Sequence, residues 1–237
     1  MKILDRLFKS SLGKKLIMAV TGVALFGFVV GHLLGNLQVF LGDEGEAINR
    51  YGHFLKSTPE LLWGARIGLL VMVALHIWSA IKLSAENKAA RPVEYAGSPT
   101  PVVATYASRT MLMSGLIIAA FVIYHLLHYT VLVKGVNLTG KDFHEFFTTL
   151  RDGTRCHDVY RMMVTGFKQP AVSVFYIIAM GLLCLHLSHG LAAMFSSLGW
   201  KSKAWEAVIN KFARIASGAI FIGYISIPIA ILLGIVK

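Results

Sequence analysis

Six histidines of this chain fall inside stretches that are otherwise apolar: His32, His76, His125, His128, His186 and His189. An imidazole at that depth is costly to hold without a partner, which makes each one a functional position by default. A neutral imidazole can ligate a metal, relay a proton or hydrogen-bond to a neighbouring helix. The richest stretch is Ala171–Leu198, AVSVFYIIAMGLLCLHLSHGLAAMFSSL, which carries His186 and His189 well inside its ends.

Helices must hold these side chains, and the sequence supplies five of membrane-spanning length, about 20 residues for ~30 Å of hydrocarbon. They run from about 16 to 40, 61 to 83, 111 to 133, 171 to 198 and 212 to 236. With 56% hydrophobic and 15% charged residues the chain reads as an all-α integral membrane protein, a single transmembrane domain with no repeat and no soluble domain. Its net charge of +11 does not point to nucleic acid, because the basic residues cluster between apolar spans, where topology, anionic lipid and partner proteins account for them. Five of them (Lys2, Arg6, Lys9, Lys14, Lys15) precede the first span, which places the N-terminus in the cytoplasm. The segment MKILDRLFKSSLGKK reads as interfacial, not as a cleavable signal. Two cysteines, Cys156 and Cys184, make no disulfide framework, and there is no CxxCH for a thioether-linked haem.

Between spans two and three, Ala85 to Ser108 contains three prolines and reads as an extended inner crossing. The longest connection, Lys134 to Gln169, lies outside. In it Val159, Met162, Met163 and Phe167 recur at helical spacing, as in a short amphipathic helix on the membrane surface.

Helical rise of about 1.5 Å per residue converts position into depth. His32 and His125 lie 16 and 14 residues into spans that run outward. His76 and His186 each lie 15 residues into spans that run inward. Two layers result, His32 with His125 outside and His76 with His186 inside. Facing imidazoles at one height in a bundle core suit a bis-histidine haem, so the first four spans are expected to form a haem-binding bundle. His128 and His189, one turn nearer their membrane faces, are alternatives to His125 and His186 by depth alone; otherwise they bond a propionate or a neighbouring helix. Gly27, Gly31 and Gly35 leave one face of span one without bulk, which serves close helix packing or, beside His32, a porphyrin. The loop histidines His53, His144 and His157 read as solvated.

Four segments, SLGKKLIMAVTG (11–22), SRTMLMSG (108–115), DVYRMMVTGF (158–167) and HLSHGLAAMFSSLGW (186–200), resemble the di-haem cytochrome b subunit of succinate:quinone oxidoreductases, the single five-helix anchor of succinate dehydrogenases and fumarate reductases. The likeness covers nearly the whole chain. It implies two b haems with axial ligands His32, His76, His125 and His186, favouring His125 over His128 and His186 over His189. It further implies a bacterial cytoplasmic membrane, a flavoprotein subunit with FAD and an iron–sulfur subunit on the cytoplasmic side, and a quinone, menaquinone, near the outer face. Dicarboxylate chemistry would belong to the flavoprotein subunit. Some members carry a glutamate two residues before the fourth ligand, for moving protons with the electrons; here that residue is Cys184, and no Asp or Glu lies deep in a span. Turnover with menaquinone is therefore expected to be electrogenic.

A quinone needs an apolar slot and hydrogen-bond partners for its carbonyls. The polar candidates toward the outer face are Asn36, Asn49, Tyr51, His53 and Tyr160, each also readable as an interfacial anchor or loop cap. Arg109, at the inner start of span three, suits a haem propionate or ordinary positive flanking. Two other readings compete: the di-haem anchor of a hydrogenase or formate dehydrogenase, and a proton-coupled transporter using the histidines as a relay. Against the transporter stand the missing intramembrane carboxylates and the absence of proline deep in spans one to four; Pro228, in span five, is the exception.

Overall fold

The computed structural model describes residues 3–90 and 105–237, and is 77% helical. In chain order the described helices are α1 (Ile3–Lys9), α2 (Ser11–Asn36), α3 (Glu46–Ser57), α4 (Pro59–Ala89), α5 (Tyr106–Arg109), α6 (Met111–Tyr129), α7 (Val159–Phe167), α8 (Pro170–Ser197) and α9 (Glu206–Leu232). Five of them (α2, α4, α6, α8 and α9) are long and apolar enough to cross a membrane, so this is an all-α, multi-pass membrane protein. Helix is forced on such segments because hydrocarbon offers the backbone no hydrogen-bond partner.

Boundaries differ from the sequence expectation where polar residues continue or end a helix. The helix of span two runs on to Ala89 through KLSAEN, since straight-chain residues outside the hydrocarbon still favour helix. Helix α6 stops at Tyr129, four residues before the expected Val133, and Leu132 adopts a left-handed φ of 62° in the turn that follows. Helix α9 begins at Glu206, earlier than expected, and ends before Gly234, whose φ of +72° closes it. The crossing expected between spans two and three lies outside the described residues over 91–104.

The chain packs as two compact units. The first comprises Met1–Phe28, Ile67–Leu116 and Leu183–Gly218; the second comprises Val29–Arg66, Ile117–Leu182 and Ala219–Lys237. Stretches of the same five long helices appear in both, so neither unit is one continuous piece of sequence.

In the first unit the core is Leu191, Ala192, Ile209 and Ala213, with Phe26 and Phe195 against it. The amphipathic N-terminus is tied down here. Lys14 is buried, donates to Lys9 O at 3.0 Å and pairs with Glu86 of α4, while Phe8 sits 5.4 Å from Trp78.

The second unit has the larger core, in which Phe121, Tyr176, Val172 and Ile231 meet Met163, Val164 and Phe167 of α7. Helix α7 was expected to lie on the membrane surface. The amphipathic helix is present, and its apolar face packs on the apolar surface that this unit offers. Asp158 caps it, accepting from Arg161 N at 2.9 Å. Two features of this unit were not among the sequence expectations. One is α3, begun by Asp43, whose carboxylate accepts from Gly45 N and Ala47 N. The other is a short antiparallel hairpin of β1 (Phe147–Thr149) and β2 (Arg155–His157), with Thr148 opposite Cys156.

Candidate functional site

In the first unit, α4 and α8 bring His76 and His186 together, ring centroids 6.4 Å apart and planes at 61°. Each has a hydroxyl at Nδ1. Thr21 Oγ1 of α2 lies 3.1 Å from Nδ1 of His76, and Ser114 Oγ of α6 lies 3.2 Å from Nδ1 of His186. Both hydroxyls have their own proton occupied: Thr21 donates to Ile17 O at 2.7 Å, and Ser114 to Met111 O at 3.2 Å. A hydroxyl has one proton to give, so toward the imidazoles these two act as acceptors. With the hydroxyl proton kept on its own helix, each hydroxyl accepts from an Nδ1–H, the tautomer that leaves the Nε2 lone pair free for a metal. Two glycines make room for the rings. A Cβ on Gly22 would stand 3.6 Å from His76 Cε1, and one on Gly115 would stand 3.3 Å from His186 Cε1.

In the second unit, α2 and α6 bring His32 and His125 together, centroids 5.8 Å apart and planes at 79°. Tyr176 of α8 reaches Nδ1 of His125 at 3.3 Å. The ring of Tyr224, from α9, lies 6.4 Å from that of His32, and its hydroxyl donates to Val29 O at 2.8 Å. The fifth span thus walls this pair, a role the four-helix expectation did not include. Nothing stands within 4 Å of where a Cβ on Gly31 would be, one residue from His32. All four paired histidines are half-buried.

The remaining intramembrane histidines stand apart from the pairs. His128 is fully buried; it stacks on Tyr129 at 3.9 Å and has Tyr176 Oη 3.1 Å from its Nδ1. His189 is half-buried one turn beyond His186. Arg109 is exposed at the end of α5.

The polar residues put forward for a quinone are unequally placed. Asn49 is 3% exposed and acts as a brace, donating to Asp158 Oδ1 at 3.1 Å and accepting from Tyr160 N at 2.9 Å. Tyr160 packs over Gly45 and donates to Lys237 O at 3.0 Å. Tyr51 lies against Gly35, Asn36 ends α2, and His53 sits half-buried on α3.

Outside the spans, electrostatics tie α3 to the hairpin. Arg50 bonds Glu46 and Asp152, each at 2.5 Å, which holds the Asp152 carboxyl well below the usual carboxylate range. His157 donates from Nε2 to Phe143 O at 2.9 Å while its Nδ1 is buried without a partner, and burial lowers its basicity.

Among the described residues no three His, Cys, Asp or Glu side chains converge. A tetrahedral site of protein ligands such as zinc takes needs more donors than either pair has. Two facing imidazoles suit a metal that brings its own equatorial ligands, and haem is that group. Two imidazoles that shared one metal at bonds of about 2 Å would have ring centroids roughly 6 Å apart. Both pairs meet that spacing, so the residues present fit the cofactor. The signals for Thr21, Ser114 and Tyr176 were weak in sequence: a hydroxyl near a histidine's depth on another helix is visible only once the depths are aligned. Comparison with family models, curated proteins and solved structures returns no match.

Proposed function

We propose that the chain is the di-haem cytochrome b anchor of a succinate:quinone oxidoreductase, carrying electrons between a cytoplasmic iron–sulfur subunit, joined there by an FAD flavoprotein, and a membrane quinone, menaquinone. The observation that carries it is the pairing of four imidazoles two by two at 6.4 and 5.8 Å, with hydroxyls on Nδ1 of three of them. A b haem held by each pair supplies one-electron exchange between ferric and ferrous iron.

The chain's own work is to bind, orient and insulate. Thr21 and Ser114 fix the tautomers of His76 and His186, and Tyr176 does so for His125. Phe121, whose ring stacks 6.1 Å from His125, and Tyr224 beside His32 keep water from the second pair. The orientation with the N-terminus in the bacterial cytoplasm belongs to the same reading and rests on the basic residues before α2.

The test is a pyridine haemochrome assay on the purified chain, joined to identification of the subunits that purify with it. Two b haems per polypeptide with a flavoprotein and an iron–sulfur protein support the proposal. Two haems with hydrogenase or formate dehydrogenase subunits would assign the anchor to another complex, and a colourless protein would favour a histidine relay in transport.

A further inference from the structure

The three hydroxyls that meet the paired histidines are not equivalent. Those of Thr21 and Ser114 give their proton to a carbonyl of their own helix. The phenol of Tyr176 reaches two imidazoles instead, 3.3 Å from Nδ1 of His125 and 3.1 Å from Nδ1 of His128. With one proton to give, it donates to one ring and accepts from the other. A His125 that ligates iron through Nε2 carries its proton on Nδ1 and must be the donor. The phenol proton then goes to Nδ1 of His128. The proton of neutral His128 is left on Nε2, an atom that is buried and without a hydrogen-bond partner. Only one direction of the chain is consistent with ligation: His125 Nδ1–H to Tyr176, then Tyr176 O–H to His128.

Resting on the haem reading, we infer that Tyr176 is a positioning residue for the ligand His125, and that His128 is its anchor and not a spare ligand. A phenol that donates onward has a more polarised oxygen, so it accepts more strongly from His125. A stronger bond at Nδ1–H raises the basicity of Nε2, which favours ferric iron and lowers the potential of that haem. His76 and His186 each meet an aliphatic hydroxyl that donates only to its own helix. The two haems are thereby given different second partners by the protein.

The experiment is a redox titration of the full-length, haem-loaded protein, followed optically, for wild type, Tyr176→Phe, His128→Leu and His128→Asn, with haem content measured on each. In Tyr176→Phe and His128→Leu one of the two reduction steps should move to higher potential while the other stays, at two haems per chain. His128→Asn, which keeps an acceptor close to the place of Nδ1, should stay near wild type. The His128 variants decide the matter even if Tyr176→Phe fails to accumulate. Two haems with both steps unmoved, or both moved alike, in the phenylalanine and leucine variants would overturn the inference and leave the haem reading in place. Wild-type protein without haem would overturn both.

Discussion

The ring of His128 lies flat on that of its neighbour Tyr129, centroids 3.9 Å apart and planes at 24°, and the two are sealed by the α-carbon of Gly166 in α7. A Cβ at Gly166 would stand 3.2 Å from His128 Nε2 and would collide with the Tyr129 hydroxyl. Gly166→Ala is expected to cost about 1–3 kcal/mol, the usual penalty for overpacking a filled core. A lower thermal midpoint in detergent is the measurement. An unchanged midpoint would mean that α7 does not seal the unit as described.

Haem content should divide by pair. Replacing His76 or His186 by alanine is expected to remove one haem per chain, and replacing His32 or His125 the other, while His128→Ala and His189→Ala retain both. Haemochrome stoichiometry and the surviving optical band decide this. A full complement in His186→Ala would end the pairing proposed for the first unit.

Thr21→Val keeps the shape of the side chain and removes the hydroxyl that accepts from His76. It takes from the His76 ring the side-chain hydroxyl within hydrogen-bond reach of its Nδ1. Faster haem loss on dilution than in wild type is expected, with Thr21→Ser restoring retention. Equal loss rates in Thr21→Val and wild type would show that the hydroxyl does not hold the ligand.

Two polar ties of the second unit should differ sharply in worth. Asn49 is buried and satisfies both Asp158 and the backbone of Tyr160, so Asn49→Ala should destabilise by about 1–3 kcal/mol. Arg50 pairs with Glu46 and Asp152 in solvent, where salt screens the charges. Arg50→Gln should leave the thermal midpoint nearly unchanged at high salt. A large drop for Arg50→Gln and none for Asn49→Ala would reverse this ranking.

Acid should loosen the hairpin through His157. Burial lowers its pKa in the folded chain, so the unfolded chain binds the proton more readily, and stability falls as pH drops below about 6.5, the unfolded value. Protonation would also place a proton on buried Nδ1, which has no acceptor. Protection of the β2 amides, relative to the intrinsic exchange rate at each pH, should fall between neutral pH and pH 5, and His157→Gln should flatten the dependence. Exchange rates in wild type that follow intrinsic chemistry alone would refute it.

Hydrophobicity and length determined the five spans, because in lipid a polar backbone has no alternative to helix. The even rise of a helix likewise made His32 and His125, or His76 and His186, candidates for meeting at one depth. Depth could not separate His125 from His128, since one turn changes height by only about 5 Å. Direction around the helix separates them, and that is set by packing: the ring of His125 faces His32, whereas His128 turns into the aromatic cluster of Tyr129 and Phe143. Likewise the docking of α3, of the hairpin and of the apolar face of α7 onto the second unit depends on long-range contacts, whose partners a local period does not name. Local pattern thus decided which segments span and how deep each imidazole lies. Only the tertiary structure decided which way each imidazole points and which hydroxyl meets it, because those depend on helix rotation and on neighbours far away in the chain.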